Sequence, residues 1–415
     1  MEKGSLMKNI LLVTTKYGIQ GNQWLTNELA NELKSRDYKV YVIALSWLKD
    51  DPETSYKEEN EIKVYRYKLP KLFFSDFIII KFIKQFIFQI LALRSTKKHL
   101  KKIKFDLIIG FTPALLTSKI IKYYQKLSTG TSYLILWDFF PYYLLDLNLL
   151  KSKLFFQILK ILENRSYLIY KKIGCMTKRN KEFLLMNYKG IDPLKLKIIP
   201  IWAKISSRKE YSRSQTREIL GYKKEDIIFV YGGAHSIVQE LDNIINLAKK
   251  LLSYERIKFI FIGKGTDKER LKKIVNDQKI VNIKFLDYIP REKYEEIIAS
   301  FDIGIVSLSS KLTVPSFPSK SLDYLKVGLP IIASIDKFTD YGNILENEIK
   351  GGYASIAGDE KSLLQNALKM VFDEEDRNKK GENGRRYYEQ IFSVENICNK
   401  ILSSSIENEN KKFVK

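Results

Sequence analysis

The chain has 415 residues, of which 45% are hydrophobic, 13% aromatic and 29% charged. That length exceeds what one hydrophobic core supports and that composition excludes a disordered or fibrous chain, so two domains of about 200 residues each are expected. Seventy-one Lys and Arg against 48 Asp and Glu leave a formal charge of +23, which calls for an anionic partner: a nucleotide substrate, an acidic membrane surface or a nucleic acid.

Two histidines and two distant cysteines, Cys175 and Cys398, offer no zinc-type spacing and little for His-based catalysis; the thiols suggest a reducing, intracellular setting. The opening MEKGSLMKNILLVTT has too short an apolar run for a signal peptide and continues into a strand at 9–14. A loop with Gly18 and Gly21 follows, then an amphipathic helix at 23–35 with Leu25, Leu29 and Leu33 at four-residue steps, then a strand at 39–45. This βαβ opening predicts a doubly wound first domain. The glycines do not form G-x-G-x-x-G, so a dinucleotide site is not indicated.

Residues 75–93, SDFIIIKFIKQFIFQILAL, place Lys81, Lys84, Gln85 and Gln89 on one narrow polar stripe of a helix otherwise covered by Phe, Ile and Leu. Two central lysines argue against a membrane-spanning helix. With Arg94, Lys97, Lys98, Lys101, Lys102 and Lys104 behind it, the segment 71–104 reads either as a peripheral contact with an anionic membrane or as a helix packed on the sheet with a solvated basic end. Strands at 105–110 and 133–137 end in Phe111, Thr112, Pro113 and in Trp137, Asp138, Phe139, Phe140, Pro141. In open α/β sheets such carboxyl ends face the ligand. Asp138 closes an apolar strand, so its charge needs a partner or a function: an acceptor-side base, or a carboxylate capping the next helix. A helix at 154–170, a strand at 172–177 and the run KIIPIW lead out of the first domain.

Residues 204–225 are polar and read as a linker with a short helix. The second domain then opens with a strand at 226–231, a loop with Gly232, Gly233 and His235, and a helix at 241–252. Two glycines there let backbone amides approach a diphosphate closely. His235 reads as solvent-facing. A strand at 258–262 leads to Gly263-Lys264-Gly265 and a helix at 268–276, and a strand at 282–286 to Asp287-Tyr288-Ile289-Pro290. Asp302 reads as a structural turn former. The stretch 301–334, FDIGIVSLSSKLTVPSFPSKSLDYLKVGLPIIAS, is a strand, a Ser- and Pro-rich loop, a short helix from near Ser319 ended by Gly328, and a second strand. A helix N-terminus beyond a strand end attracts anions, and Ser316, Ser319, Ser321 and Lys320 crowd this one. Asp323 falls one turn on, on the same face as Ser319 and Lys320, within reach of sugar hydroxyls. An ordinary helix cap is the alternative. A helix at 362–372 and a long one at 384–403 complete the domain.

The run P-S-K-S-L-D-Y-L followed by V-G-L-P-I-I-A resembles the donor-binding segment of the retaining GT-B-fold glycosyltransferases of family 4, in the bacterial capsule, O-antigen and exopolysaccharide branch that carries P-S-K-x-x-E-Y. Asp323 stands where that family has the second Glu of its E-x7-E motif, and Pro315 where the first would be. The resemblance implies an α/β chain of GT-B type: two Rossmann-like doubly wound parallel-sheet domains facing a cleft, with a C-terminal helix crossing back to the first. It implies an acceptor-side domain at 1–203, joined by a helix at about 396–415, and a nucleotide-sugar domain at 204–395. It implies Lys320 and Asp138 as catalytic residues, a Gly-containing loop at Gly21 near donor and acceptor, and the nucleobase between the loops of Gly263, Gly265 and Ile289. Gln239 and Glu240 stand where relatives have a basic residue and Gly, leaving Lys320 with most of the diphosphate's charge. The implied partners are a UDP- or GDP-linked sugar and a glycan acceptor, lipid-linked and met at the inner face of the cell membrane. No D-x-D triplet is present, so neither a metal nor another cofactor is expected. Two other classes stay open: an inverting GT-B transferase or sugar-phosphate epimerase, and a nucleic-acid-binding protein, for which no recognised motif is present.

Overall fold

The computed structural model describes residues 9–19, 24–74, 78–146, 150–205 and 212–406. It divides into two units, Met1–Lys204 with Val394–Lys415, and Ile205–Ser393. Each is a parallel-sheet α/β unit.

The first unit holds β1 (Asn9–Thr14), β2 (Lys39–Ser46), β3 (Ser55–Glu59), β4 (Ile62–Lys68), β5 (Leu107–Phe111), β6 (Thr131–Leu136), β7 (Lys172–Cys175) and β8 (Leu196–Ile198). The order is β3-β4-β2-β1-β5-β6-β7-β8. The central strands are almost wholly apolar because helices cover both faces: Ile10 to Val13 of β1 and Tyr133 to Leu136 of β6 are all buried. Strand order reverses between β2 and β5, on either side of β1, and such a switch point opens a crevice at the strand ends. The antiparallel hairpin β3–β4 is absent from the sequence reading. Its turn residues Asn60 and Glu61 both have positive φ, 50° and 62°, and Asn-Glu is a weak signal for such a turn beside Asn-Gly.

Of the segment 75–93, the described residues from Ile78 on belong to the helix Ile78–Leu100, and residues 75–77 lie outside the described residues. A helix lying in a membrane interface turns its polar residues to water, but here Lys84 and Gln89 point into the unit. Gln89 donates to the Leu115 carbonyl (3.0 Å) and accepts from the Lys119 N–H (2.8 Å), so the polar stripe anchors the helix to the turn after β5. The side chains of Lys81 and Gln85 lie outside the described residues. No helix among the described residues is long and apolar enough to cross a membrane.

The second unit orders its strands β11-β10-β9-β12-β13-β14: β9 (Ile227–Gly232), β10 (Ile257–Ile262), β11 (Ile283–Leu286), β12 (Ile303–Ser307), β13 (Ile331–Ile335) and β14 (Gly352–Ile356). All its pairs are parallel, and the switch point lies at β9 and β12. Asp302 is structural, as read: it accepts from Arg217 (2.6 Å), from Arg213 and from the Ile228 N–H (2.7 Å), tying the start of β12 to β9. The long helix expected at 384–403 is broken. One helix ends at Ile391, and a second, Val394–Ile406, joins the first unit, where Ile397, Cys398 and Ile401 pack in the core with Leu29 and Leu33. Cys175 and Cys398 are both buried, free thiols.

Candidate functional site

Chemistry-bearing residues gather at the strand ends of each unit. In the second, the loop after β12 is held rigid before it reaches its helix. Thr339 Oγ1 donates to the Ser316 carbonyl (2.7 Å), and the Phe317 ring lies 5.3 Å from Tyr341 and 5.5 Å from Phe392. Ser321 is buried, its hydroxyl donating to Tyr341 Oη at 2.7 Å, so this side chain anchors the helix rather than facing a ligand. The helix Lys320–Val327 stops at Gly328, whose φ of 77° is the left-handed conformation a C-terminal glycine supplies. Ser319, at the N-cap, is exposed and makes no side-chain capping bond, so the ordinary-cap reading is not realised there.

Lys320 folds back from this helix start to the end of β9. Its Nζ donates to Tyr231 Oη (3.3 Å) and to Gln239 Oε1, and sits 4.6 Å from the centre of the Tyr231 ring. No carboxylate lies within ion-pair distance of it among the described residues. Burial without a counter-charge lowers its pKa to about 7. Asp323 is half-buried one turn on; its charge adds to burial in raising the Tyr294 and Tyr324 hydroxyls.

The glycine pair requires a correction. The Gly232 N–H donates to Tyr324 Oη (2.9 Å) and the Gly233 N–H to the Ile262 carbonyl (3.0 Å), so both amides expected to meet a diphosphate are already committed. The glycines serve close approach instead. A side chain on Gly232 would collide with the Tyr294 hydroxyl, and one on Gly233, whose φ is 139°, would sit 3.6 Å from Lys320 Cε. Gly263 and Gly265 interlock with the same loop, since a Cβ on either would overlap the carbonyl of Gly233 or of His235. Ile289 is half-buried in the loop after β11. Lys268, which the sequence reading passed over, joins the two loops: its Nζ donates to the carbonyls of Gly263 and Leu286 (both 2.9 Å) and to Asp287 (2.7 Å).

His235 is the second correction. It is fully buried rather than solvent-facing, with ring centres of Tyr231, Phe261 and Phe285 at 5.8, 6.3 and 6.1 Å and, among the described residues, no partner for either ring nitrogen. Burial, helped by the charges of Lys268 and Lys320, lowers its pKa to about 4, so it is neutral in the fold. An apolar-then-aromatic neighbourhood of this kind leaves no signature in a lone loop histidine.

In the first unit a cavity of ≈ 520 Å³ opens at the carboxyl ends of β1, β2, β5 and β6. Asp138 lines it with Thr112, Trp47, Trp137, Lys16 and Lys84. The N–H groups of Trp137 (3.1 Å) and Asp138 (3.2 Å) both donate to Thr112 Oγ1, which fixes the bend after β6. The Asp138 carboxylate makes no hydrogen bond or ion pair among the described residues, so it does not cap the helix Tyr142–Asp146. Asp138 is exposed as a residue, but desolvation among the surrounding atoms raises its pKa, with Lys16 opposing. Behind the wall, buried Glu163 accepts from the N–H groups of Ala114 (2.8 Å) and Leu115 (2.7 Å), and burial raises its pKa to about 7. Gly21 lies outside the described residues. Asn27 Oδ1 holds the described ends of its loop, accepting from the N–H groups of Gly18 (2.9 Å) and Trp24 (3.0 Å).

The structure thus gathers Lys320, Gly233, Gly263, Gly265 and Asp323 around the ends of β9, β10 and β12, and Asp138 with Lys16 and Lys84 around those of β1, β2, β5 and β6. Residues 212–387 match the family model described as glycosyl transferases group 1. No curated protein matches the chain. Among solved structures it is similar to sucrose-phosphate synthase from Thermosynechococcus elongatus, at 13% identity and a TM-score of 0.72, covering 97% of this chain and 100% of that one. It is similar to WaaG, a glycosyltransferase involved in lipopolysaccharide biosynthesis, at 15% and 0.66, covering 95% and 99%. A third is HepE from Anabaena in complex with UDP, at 14% and 0.67, covering 96% and 99%. At such identities the likeness establishes the fold, which is GT-B.

Proposed function

We propose that this GT-B glycosyltransferase, whose second unit carries a glycosyl transferases group 1 domain, is a retaining enzyme of family 4 in the branch that builds bacterial surface polysaccharide. It takes a hexosyl or N-acetylhexosaminyl group from a UDP- or GDP-linked donor to a hydroxyl of a lipid-linked glycan, at the inner face of the membrane. The observation that carries this reading is Lys320, a half-buried ammonium at a helix start that donates to Tyr231 and Gln239 and has no carboxylate within ion-pair distance among the described residues. A diphosphate is the ligand such a lysine lacks. Its charge grows as the glycosidic bond breaks, so Lys320 stabilises the transition state more than the bound donor. Ser316 and Ser319 stand beside it for the phosphates, Asp323 for the ribose, and Gly263, Gly265 and Ile289 for the base.

HepE has also been solved with UDP and glucose and with UDP-glucose, and a protein titled trehalose-6-phosphate from E. coli with UDP-2-fluoro glucose. These ligands support UDP-sugars as the donors to test first. Asp138, exposed in the cavity with its pKa raised by desolvation, takes the proton of the attacking hydroxyl. The acceptor attacks on the face from which the diphosphate leaves, through an oxocarbenium-like state. The peripheral membrane contact falls to the exposed basic end of the region 71–104, Arg94, Lys98, Lys101, Lys102 and Lys104, since the polar stripe of the helix turns inward. The test is incubation of the purified protein with a panel of UDP- and GDP-sugars, following slow donor hydrolysis and then the anomeric configuration of the transfer product. Hydrolysis of one donor and a retained anomer are expected; an inverted product removes family 4, and silence with every donor removes the reading.

A further inference from the structure

Lys320 is held by an amide, although a carboxylate stands next to that amide in the chain. The turn Ile237–Gln239 follows β9 and ends at Glu240, whose φ of 41° is a left-handed conformation that a residue with a side chain keeps only where its surroundings fix it. Three bonds to the segment after β12 do so. The Ser309 N–H donates to the Val238 carbonyl (2.9 Å), the Ser310 N–H to the Glu240 carboxylate (2.6 Å) and the Ser307 hydroxyl to the Glu240 carbonyl (3.4 Å). The Glu240 carboxylate accepts from the Ser310 hydroxyl as well (3.3 Å), so the acid of this turn is committed to Ser310 and forms no ion pair with Lys320. Gln239, half-buried, takes that place instead. Its Oε1 accepts from Lys320 Nζ and lies 3.2 Å from the Tyr231 hydroxyl, which itself accepts from Nζ (3.3 Å) and donates to the Ala234 carbonyl (2.7 Å). The ammonium therefore rests on two neutral oxygens at the end of β9, and the third of its N–H groups has no acceptor among the described residues.

We infer that Gln239 is a positioning residue for the diphosphate: a neutral acceptor that fixes the Lys320 ammonium in place without neutralising it and yields it to a phosphate oxygen. The inference rests on the reading in which Lys320 meets a nucleoside diphosphate, and adds to it the group that prepares the lysine. A phosphate oxygen carries charge and is a stronger acceptor of an ammonium N–H than an amide carbonyl, so the ligand displaces Gln239 readily. A carboxylate at the same point would compete with the ligand for the cation. Holding a long side chain in one conformation beforehand also removes an ordering cost that would otherwise be subtracted from binding. The rigid turn supplies the fixed point this requires.

The test is equilibrium dialysis of UDP and of GDP against the full chain and its variants, with thermal melts alongside. Lys320→Ala is expected to weaken the diphosphate that binds by about thirtyfold. Gln239→Glu, which keeps the size of the side chain and adds a charge, is expected to weaken it by about tenfold, and Gln239→Leu, which removes the acceptor, by only about threefold. A purely structural glutamine predicts the reverse order, because the carboxylate is the closer mimic in shape. The loss in Gln239→Leu should vanish in Lys320→Ala, since the amide acts through the ammonium. Affinity in Gln239→Glu equal to that of the unmodified protein overturns the inference. So does a Gln239→Leu loss that persists undiminished in Lys320→Ala, a comparison that still decides the matter should Gln239→Glu fail to fold. If Lys320→Ala weakens binding and the Gln239 variants do not follow this pattern, the positioning role alone is lost. If neither diphosphate binds, or Lys320→Ala binds as well as the unmodified protein, the diphosphate reading falls and takes this inference with it.

Discussion

Two lysines, one in each unit, are drawn below the ordinary lysine range, the buried Lys84 and the half-buried Lys320, and by different means. Lys320 stands at a helix start, donates to Tyr231 and Gln239, and is drawn down to about 7; Lys84 comes from the middle of a helix, rests on Trp47 and Phe74, and is drawn down to about 8. The first belongs to a contiguous run, P-S-K-S-L-D, whose local geometry places it. The second reaches its cavity only because the helix Ile78–Leu100 turns its polar stripe inward. A partly or fully buried cation can therefore be placed by a local run or assembled from distant strand ends, and only the local version is readable as a motif.

The comparison breaks most sharply at Lys320. Lys320→Ala is expected to lower turnover by about a thousandfold, ~4 kcal/mol of transition-state stabilisation, with an unchanged melting temperature. An active variant would remove Lys320 from the chemistry. Next in size is the acid stability of the second unit. The pKa of His235 is about 4 in the fold against an ordinary 6.5, so the unfolded chain binds the extra proton between those values. Stability is then full above pH 6.5 and is lost as pH falls toward 4, by roughly 3 kcal/mol. Denaturant titrations of wild type and His235→Leu across that window should differ in slope, and parallel curves would contradict the buried neutral imidazole.

In the first unit, Asp138→Asn should cut transfer to acceptor about thirtyfold while donor hydrolysis persists, because it would remove the proposed base and leave the second unit untouched. Equal losses of both activities would instead make Asp138 part of the donor site. The smallest effect is expected at Glu163→Gln. An amide keeps one of the two bonds to Ala114 and Leu115 and presents an N–H to the other, costing about 1–2 kcal/mol in a thermal melt. Its sign with pH is opposite to that of His235. The Glu163 pKa rises to about 7 in the fold, so the contribution of its protonated form is full below the ordinary 4.5 and declines as pH rises to 7. The variant should flatten that decline.

Much of the fold was legible. Uninterrupted apolar runs such as NILLVT and TSYLIL announced strands buried on both faces, and alternation with amphipathic helices announced parallel sheets. The β3–β4 hairpin escaped because Asn60 and Glu61 make a turn without glycine. The break after Ile391 escaped because Phe392 and Ser393 are neither glycine nor proline, and the change of unit follows from packing of Val394 and Ile397.

The sequence by itself determined the alternation of strands and helices, the glycines at the close approaches, and the placing of Lys320 at a helix start. These follow from side-chain period, backbone freedom and neighbours a few residues away. Tertiary structure alone decided that the Gly232 and Gly233 amides already have acceptors, that His235 is buried among rings, and that Lys16, Lys49 and Lys84 share one cavity with Asp138. Whether an amide or an ammonium is satisfied depends on what strand order and register bring beside it, and partners tens or hundreds of residues away leave no mark on the local chain.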